Sequence, residues 1–229
     1  MCQFFSFVGD GYGNYLYWDW NTRKENLAED HDSHTAILTR NKVPPYLQDR
    51  WSKYEYNPLT KEFTVDQGVE GHDHEAAENW VQHLNFKTVV EPLIIKKIRN
   101  PLTGRAKKVT EKEIALLDEW TKVRDLVWDS FCASVGASVL DSVGASVLDS
   151  VGASVLDSVL DSVRDSVRDS VWTSVLYSVR VYISSFFKIK YEHDFSSAIK
   201  LWNSGFVPSF DGKKWRLHSG KKAEIVYEK

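Results

Sequence analysis

Between Ser134 and Val179 a Ser-Val dipeptide recurs at every fourth residue without a gap, and VGASVLDS stands in three identical consecutive copies at 135–142, 143–150 and 151–158. Nothing else in the chain limits its architecture as much. Self-similarity at a fixed period means an array in which each unit packs on its neighbours. The residue before Ser is mostly Asp or Ala, and the residue after Val varies among Gly, Leu, Arg and Trp. The phase runs outward through Val123, Val127 and Phe131 on one side and Ile183 and Phe187 on the other.

Two structures compete for this pattern. On an α-helix a four-residue step advances each Val by about 40°, so the stripe circles the helix in roughly nine repeats and leaves no single face to bury. Right-handed coiled coils use periods near 3.67, not 4. Val, Ser and Asp are poor helix formers, and Gly136, Gly144 and Gly152 each cost about 1 kcal/mol more than Ala in a helix. One helix from Val123 to Phe187 would be a rod of roughly 98 Å. In a β-solenoid, by contrast, each tetrapeptide forms one short side of a coil, with Val inward and Asp, Ser or Gly near the corners. The expectation is therefore a solenoid, with a long or broken α-helix as the alternative. Its inward column would be Val135, Val139, Val143, Val147, Val151, Val155, Val159, Val163, Val167, Val171, Val175 and Val179. With sixteen-residue coils, Leu140, Leu156 and Trp172 would stack outward as an apolar docking stripe.

The flanks read as mixed α+β. FFSFV-GDGYGN-YLYWDW and SKYEYNPLTKEFTVDQ are hairpin patterns, the second turning at Asn57-Pro58. HEAAENWVQHLN places Ala77, Trp80, Val81 and Leu84 on one helical face, and FKTVVEPLIIKKI is a strand candidate interrupted by Pro92. Thr110-x-x-Glu113 is a capping box for the helix that follows. Near the C-terminus a short helix with Asp194 as N-cap ends at Gly205. Asp211-Gly212 and Ser219-Gly220 then turn a small meander. The expected organisation is an N-terminal α+β module over 1–110, a capping helix over 111–130, the array over 131–183 and a helix-plus-hairpin module over 184–229.

With 229 residues and a net charge of −3, the chain has no global pull toward nucleic acid or an anionic membrane. It has no run of about 18 apolar residues, and its two cysteines, Cys2 and Cys132, make no disulfide framework. These features point to a cytoplasmic protein.

Candidate chemistry is sparse. Cys2 is the one catalytic candidate, because removal of Met1 would place an amine beside its thiol, as in N-terminal-nucleophile enzymes. The competing reading is a Cys that merely opens a strand. His31-Asp32-Ser33-His34 and His72-Asp73-His74-Glu75 hold metal-ligand residue types. Both lie in turn-like polar surroundings, so solvated loops are the expectation and no metal or other cofactor is assigned. The basic stretches 96–108 and 213–222, the latter with Trp215 interleaved, would touch nucleic acid through charge alone. A charged linker and hairpin surface account for them equally well.

MCQFFSFV, KYEYNPLTKEFTVDQ and GFVPSFDGKKWRLHSGKKAEIVY resemble segments of uncharacterised proteins from phages and their bacterial hosts, which likewise carry a DSVx/ASVx array between two modules. The resemblance implies a phage-type or mobile-element origin and transfers no active-site residue. The expected function is a non-enzymatic structural or interaction scaffold that uses the array to bind another protein or a second copy of itself. A Cys2-dependent enzyme and a small nucleic-acid-binding protein are the alternatives. Nucleic acid is not the expected partner, and no membrane is involved.

Overall fold

The computed structural model describes residues 5–26, 31–127, 145–164, 169–191 and 193–229, with the single helical positions 135, 137 and 139. The chain divides into two compact units, Met1–Ile95 with Val139–Val151, and Lys96–Ser138 with Gly152–Lys229.

In the first unit the two predicted hairpins form one antiparallel sheet of order β2-β1-β3-β4: β1 (Phe5–Gly9), β2 (Tyr15–Leu16), β3 (Ser52–Asn57) and β4 (Glu62–Gln67). Turn chemistry sets both hairpins. The Asp10 carboxylate accepts the Tyr12 and Asn14 amides, and the Asn57 side-chain carbonyl accepts the Leu59 amide. Three short helices join the sheet: α1 (Trp20–Glu25), α2 (His34–Arg40) and α3 (His74–Gln82). The two sheet faces carry different chemistry. Phe5, Phe7, Tyr54 and Phe63 form an aromatic layer with Trp80 of α3 and Phe86. Val8, on the other face, packs with Trp18 and with Ile37 and Leu38 of α2. FKTVVEPLIIKKI is not a strand. It folds as a short 3-10 helix, Phe86–Thr88, followed by turns that bury Val89, Val90 and Leu93. Pro92 lacks the donor that a ladder would need.

The second unit holds α4 (Glu111–Val127), α6 (Asp169–Ser184), α7 (Ser196–Ser204) and the predicted meander, a sheet of order β5-β6-β7 with β5 (Val207–Phe210), β6 (Trp215–Ser219) and β7 (Glu224–Glu228). At α4 the Glu113 half of the expected capping box forms: its carboxylate accepts the Thr110 amide, and it also takes the Thr110 hydroxyl proton, so that hydroxyl acts as a donor. Gly205 closes α7 with backbone bonds to Trp202 and Leu201 carbonyls. The N-cap of α7 is Phe195, while Asp194, one residue earlier, accepts the Ser196 amide. Leu116, Leu117 and Trp120 of α4, Val181 of α6, Ala198 and Leu201 of α7, and Trp215 and Leu217 of β6 build this core.

The solenoid expectation is overturned: every described residue of the array lies in an α-helix, chiefly α5 (Ala145–Arg164) and α6. The objection from drift holds for one long rod and fails for short helices. From Val147 to Val159 the stripe turns through only about 120°, within the width of a buried helix face. Val147, Val151, Val155 and Val159 on α5, and Val175 and Val179 on α6, are all buried. Adjacent Ser154 and Val155 are buried together, so the buried face of α5 is wider than the valine stripe alone. Val135 and Val139 are buried and helical as well. Val143 and Val167 lie outside the described residues, and Val163 and Val171 are described only as helical backbone. Among the described residues no helix is long and apolar enough to cross a membrane.

Candidate functional site

The tetrapeptide His31-Asp32-Ser33-His34 divides its labour. His31 Nε2 lies 2.6 Å from the Asn26 carbonyl. Asp32 takes a two-pronged bond from Arg23, at 2.8 and 3.3 Å, and accepts the Ser6 amide. This ion pair is almost wholly buried, and Arg23 also donates to the Trp18 carbonyl, so both charges are solvated by the protein itself. Ser33 caps α2 by accepting the Ala36 amide. These contacts anchor the loop and leave His34, the first residue of α2, to face the sheet.

His34 Nε2 sits 3.1 Å from the Tyr54 carbonyl, and a carbonyl can only accept. Nε2 therefore carries a proton, and in the neutral ring Nδ1 presents its lone pair. That nitrogen lies 3.6 Å from Asp66 Oδ2, beyond hydrogen-bond range. Glu55 completes a group in which one ligand atom from each of His34, Glu55 and Asp66 lies within 4.8 Å of the others. Two ligands of one tetrahedral ion, each about 2.1 Å from the metal, stand roughly 3.4 Å apart. The His34–Asp66 spacing has that character. A ring nitrogen donating to a backbone carbonyl while its fellow turns to a cation is the usual outer support of a metal-bound histidine.

Local structure explains how three distant positions meet. Tyr54 of β3 pairs with Val65, yet the preceding Lys53 pairs with Gln67, so Asp66 is the extra residue of a β-bulge. A bulge re-aims its side chain, and Asp66 turns to His34 while staying largely exposed. Glu55 pairs with Ser6 across β1 and β3, placing both on one face of the sheet. Glu55 and His34 are buried, and the Ser6 hydroxyl, fully buried, has no hydrogen-bond partner among the described residues.

The second histidine cluster does not assemble. Asp73 caps α3, His72 Nδ1 lies 2.8 Å from the Ser52 hydroxyl, and His74 Nδ1 lies 3.0 Å from the Tyr54 phenol oxygen. Among the described residues only His34, Glu55 and Asp66 form a ligand group of three or more. Sequence reasoning flagged His34 but missed Glu55 and Asp66. The one signal pointing to them was a carboxylate on each arm of a single hairpin.

Ser209 and His218 look like a catalytic pair, with Ser209 Oγ 2.7 Å from Nε2 and the Ala223 carbonyl 3.0 Å from Nδ1. Ser209 is 0% exposed, so no substrate reaches it and the pair is structural. Burial pushes the His218 imidazole below the ordinary histidine range, against the bond to Ala223, which favours the charged ring. In the basic hairpin 213–222, Lys214 pairs with Glu228, and Arg216 with both Asp211 and Glu228, while Trp215 is buried.

Cys2, Cys132 and Leu140 lie outside the described residues. Leu156 is half-buried on α5, and Trp172 falls within α6. The stripe expected of Leu140, Leu156 and Trp172 rested on stacked coils, and sixteen residues on a helix rotate a side chain by about 160°. Comparison with protein-family models, curated proteins and solved structures finds no match for the chain.

Proposed function

We propose that the protein is a non-enzymatic binding scaffold whose first unit holds a divalent cation on His34, Glu55 and Asp66. The observation that carries this is the convergence of one imidazole nitrogen and two carboxylates within 4.8 Å, contributed by α2, β3 and β4. One nitrogen and two oxygens suit Zn²⁺, Mn²⁺ or Fe²⁺ rather than Ca²⁺, which takes six to eight oxygens. Three protein ligands leave a coordination position for water or for a partner's side chain. With His34 and Glu55 buried and Asp66 largely exposed, that position opens on the Asp66 side. A protein partner or a second copy of the chain is the expected occupant. The Ser-Val helices supply framework, since their described valines are buried. The terminal segments support a phage or mobile-element origin and residence in the host cytoplasm.

The test is metal content and titration of the full chain. Purified protein should bind about one equivalent of Zn²⁺ or Mn²⁺, and His34→Ala should weaken binding at least tenfold. Asp66→Asn, at an exposed position, should weaken it with the thermal melt of the metal-free protein unchanged. Stoichiometric binding undiminished in both variants, or no binding at all in the parent, would overturn the proposal.

A further inference from the structure

The second unit contains a cavity of about 410 Å³ between the segment 97–107 and the end of α7. Its lining includes Lys97, Arg99 and Lys107 and not one carboxylate. Among the described residues none of these three cations is paired with an acid, whereas Lys214, Arg216 and Lys229 of the same unit each hold one.

The convergence is built, not incidental. Lys96 Nζ donates to the Ser185 carbonyl and hydroxyl at 2.8 and 2.6 Å and lies 4.5 Å from the centre of the Phe186 ring. The Arg99 amide donates to the Tyr182 phenol at 2.9 Å, and the Arg99 carbonyl accepts the Trp202 indole N–H at 2.9 Å. Tyr182 and Trp202 are themselves stacked, with ring centres 5.0 Å apart. The Lys96 side chain and the Arg99 backbone thus fix this segment against Ser185, Tyr182 and Trp202, and the side chains of Lys97 and Arg99 line the cavity. Lys107 reaches across to the Ser204 carbonyl at 2.6 Å, which uses one of its three donors.

We propose that this cavity binds a phosphate-bearing anion. Three cations without a counter-charge match a multiply charged group better than a single carboxylate, and the planar fork of Arg99 suits two phosphate oxygens. The volume lies within the range of small-molecule sites. The Trp202 ring is buried and stacked on Tyr182, so it offers no platform for a base, and the site reads phosphate rather than nucleobase. The phosphate is therefore that of a small phosphorylated compound or of a nucleic-acid backbone.

The full-length protein, stripped of metal so that the His34 group takes no part, is titrated with inorganic pyrophosphate and separately with a mixed-sequence single-stranded oligonucleotide. Saturable pyrophosphate binding is expected, weakened at least tenfold in Lys97→Gln/Arg99→Gln and unchanged in Lys214→Gln. Oligonucleotide binding with the same dependence on Lys97 and Arg99, and tighter than pyrophosphate, would identify a backbone as the source of the phosphate. The proposal falls if neither probe binds at millimolar concentration, or if the double variant binds as the parent does. Both exchanged side chains are exposed, so the variant keeps its fold, checked by an unchanged thermal melt.

Discussion

Gly212 and Gly220 turn the two arms of the same meander, with φ of +93° and +75°, and only one of them has a neighbour. A Cβ on Gly212 would meet nothing within 4 Å, whereas a Cβ on Gly220 would stand 2.5 Å from the Ala106 backbone nitrogen. Backbone cannot step aside as a flexible side chain can. Gly212→Ala should therefore cost about 1–2 kcal/mol, the left-handed penalty alone. Gly220→Ala should cost clearly more, because either the turn or the 104–107 segment must move. At about 2–4 °C per kcal/mol for a chain of this size, a thermal melt separates the two, and equal losses would refute the close approach. Both glycines were legible in the sequence as turn formers, next to Asp211 and Ser219. The approach of Ala106 was not, since it lies more than a hundred residues earlier. The metal candidate divides in the same way. His34 was visible in its cluster. Its partners were not, because Asp66 meets it through a one-residue bulge that no local pattern announces.

The Ser-Val helix solves a problem for the sheet beside it. β5 is an edge strand, and an edge leaves backbone donors and acceptors exposed to misplaced pairing. α6 covers it with its serines: the Phe210 amide donates to Ser174 Oγ at 2.9 Å, and Ser178 Oγ lies 3.3 Å from the Pro208 carbonyl. Serines four residues apart on a helix thus answer backbone groups two residues apart on a strand. A small side chain also lets the helix come close, while the neighbouring Val175 and Val179 fill the core. This gives the constant Ser a role that propensity scales miss. Propensity favoured strand for Val and turn for Ser, and burial overrode both, because a helix face with small polar and β-branched residues fits against an edge. Ser174→Ala removes the partner of the Phe210 amide and should cost about 1–3 kcal/mol if that amide stays buried. Amide exchange at Phe210 should accelerate more than elsewhere in β5. An unchanged exchange rate would show that the edge is capped by something else.

For the molecule as a whole, the shifted imidazole and carboxylates of the second unit act in one direction on acidification. His218 titrates below its ordinary value through burial, so the folded state resists its protonation. Its contribution to stability is complete above about pH 6.5 and declines as pH falls through that value toward the lower folded one. Asp211 is held at about 2 by the Lys214 and Lys213 amides and Arg216, Glu228 is lowered by Lys214 and Arg216, and Glu113 by Thr110. Carboxylates of this kind contribute above their unfolded values and lose the contribution as pH falls through the folded ones. Acidification should therefore weaken the protein in two stages, the first near pH 6.5 and the second below about pH 4.5. Two stages need two kinds of group, and only the first depends on an imidazole. Melting temperature measured from pH 8 downward in His218→Gln should lose the first decline and keep the second. The measurement uses metal-free protein, because loss of a bound cation would add its own change in melting temperature. If His218→Gln keeps the early decline under those conditions, the buried Ser209–His218–Ala223 chain is not its source.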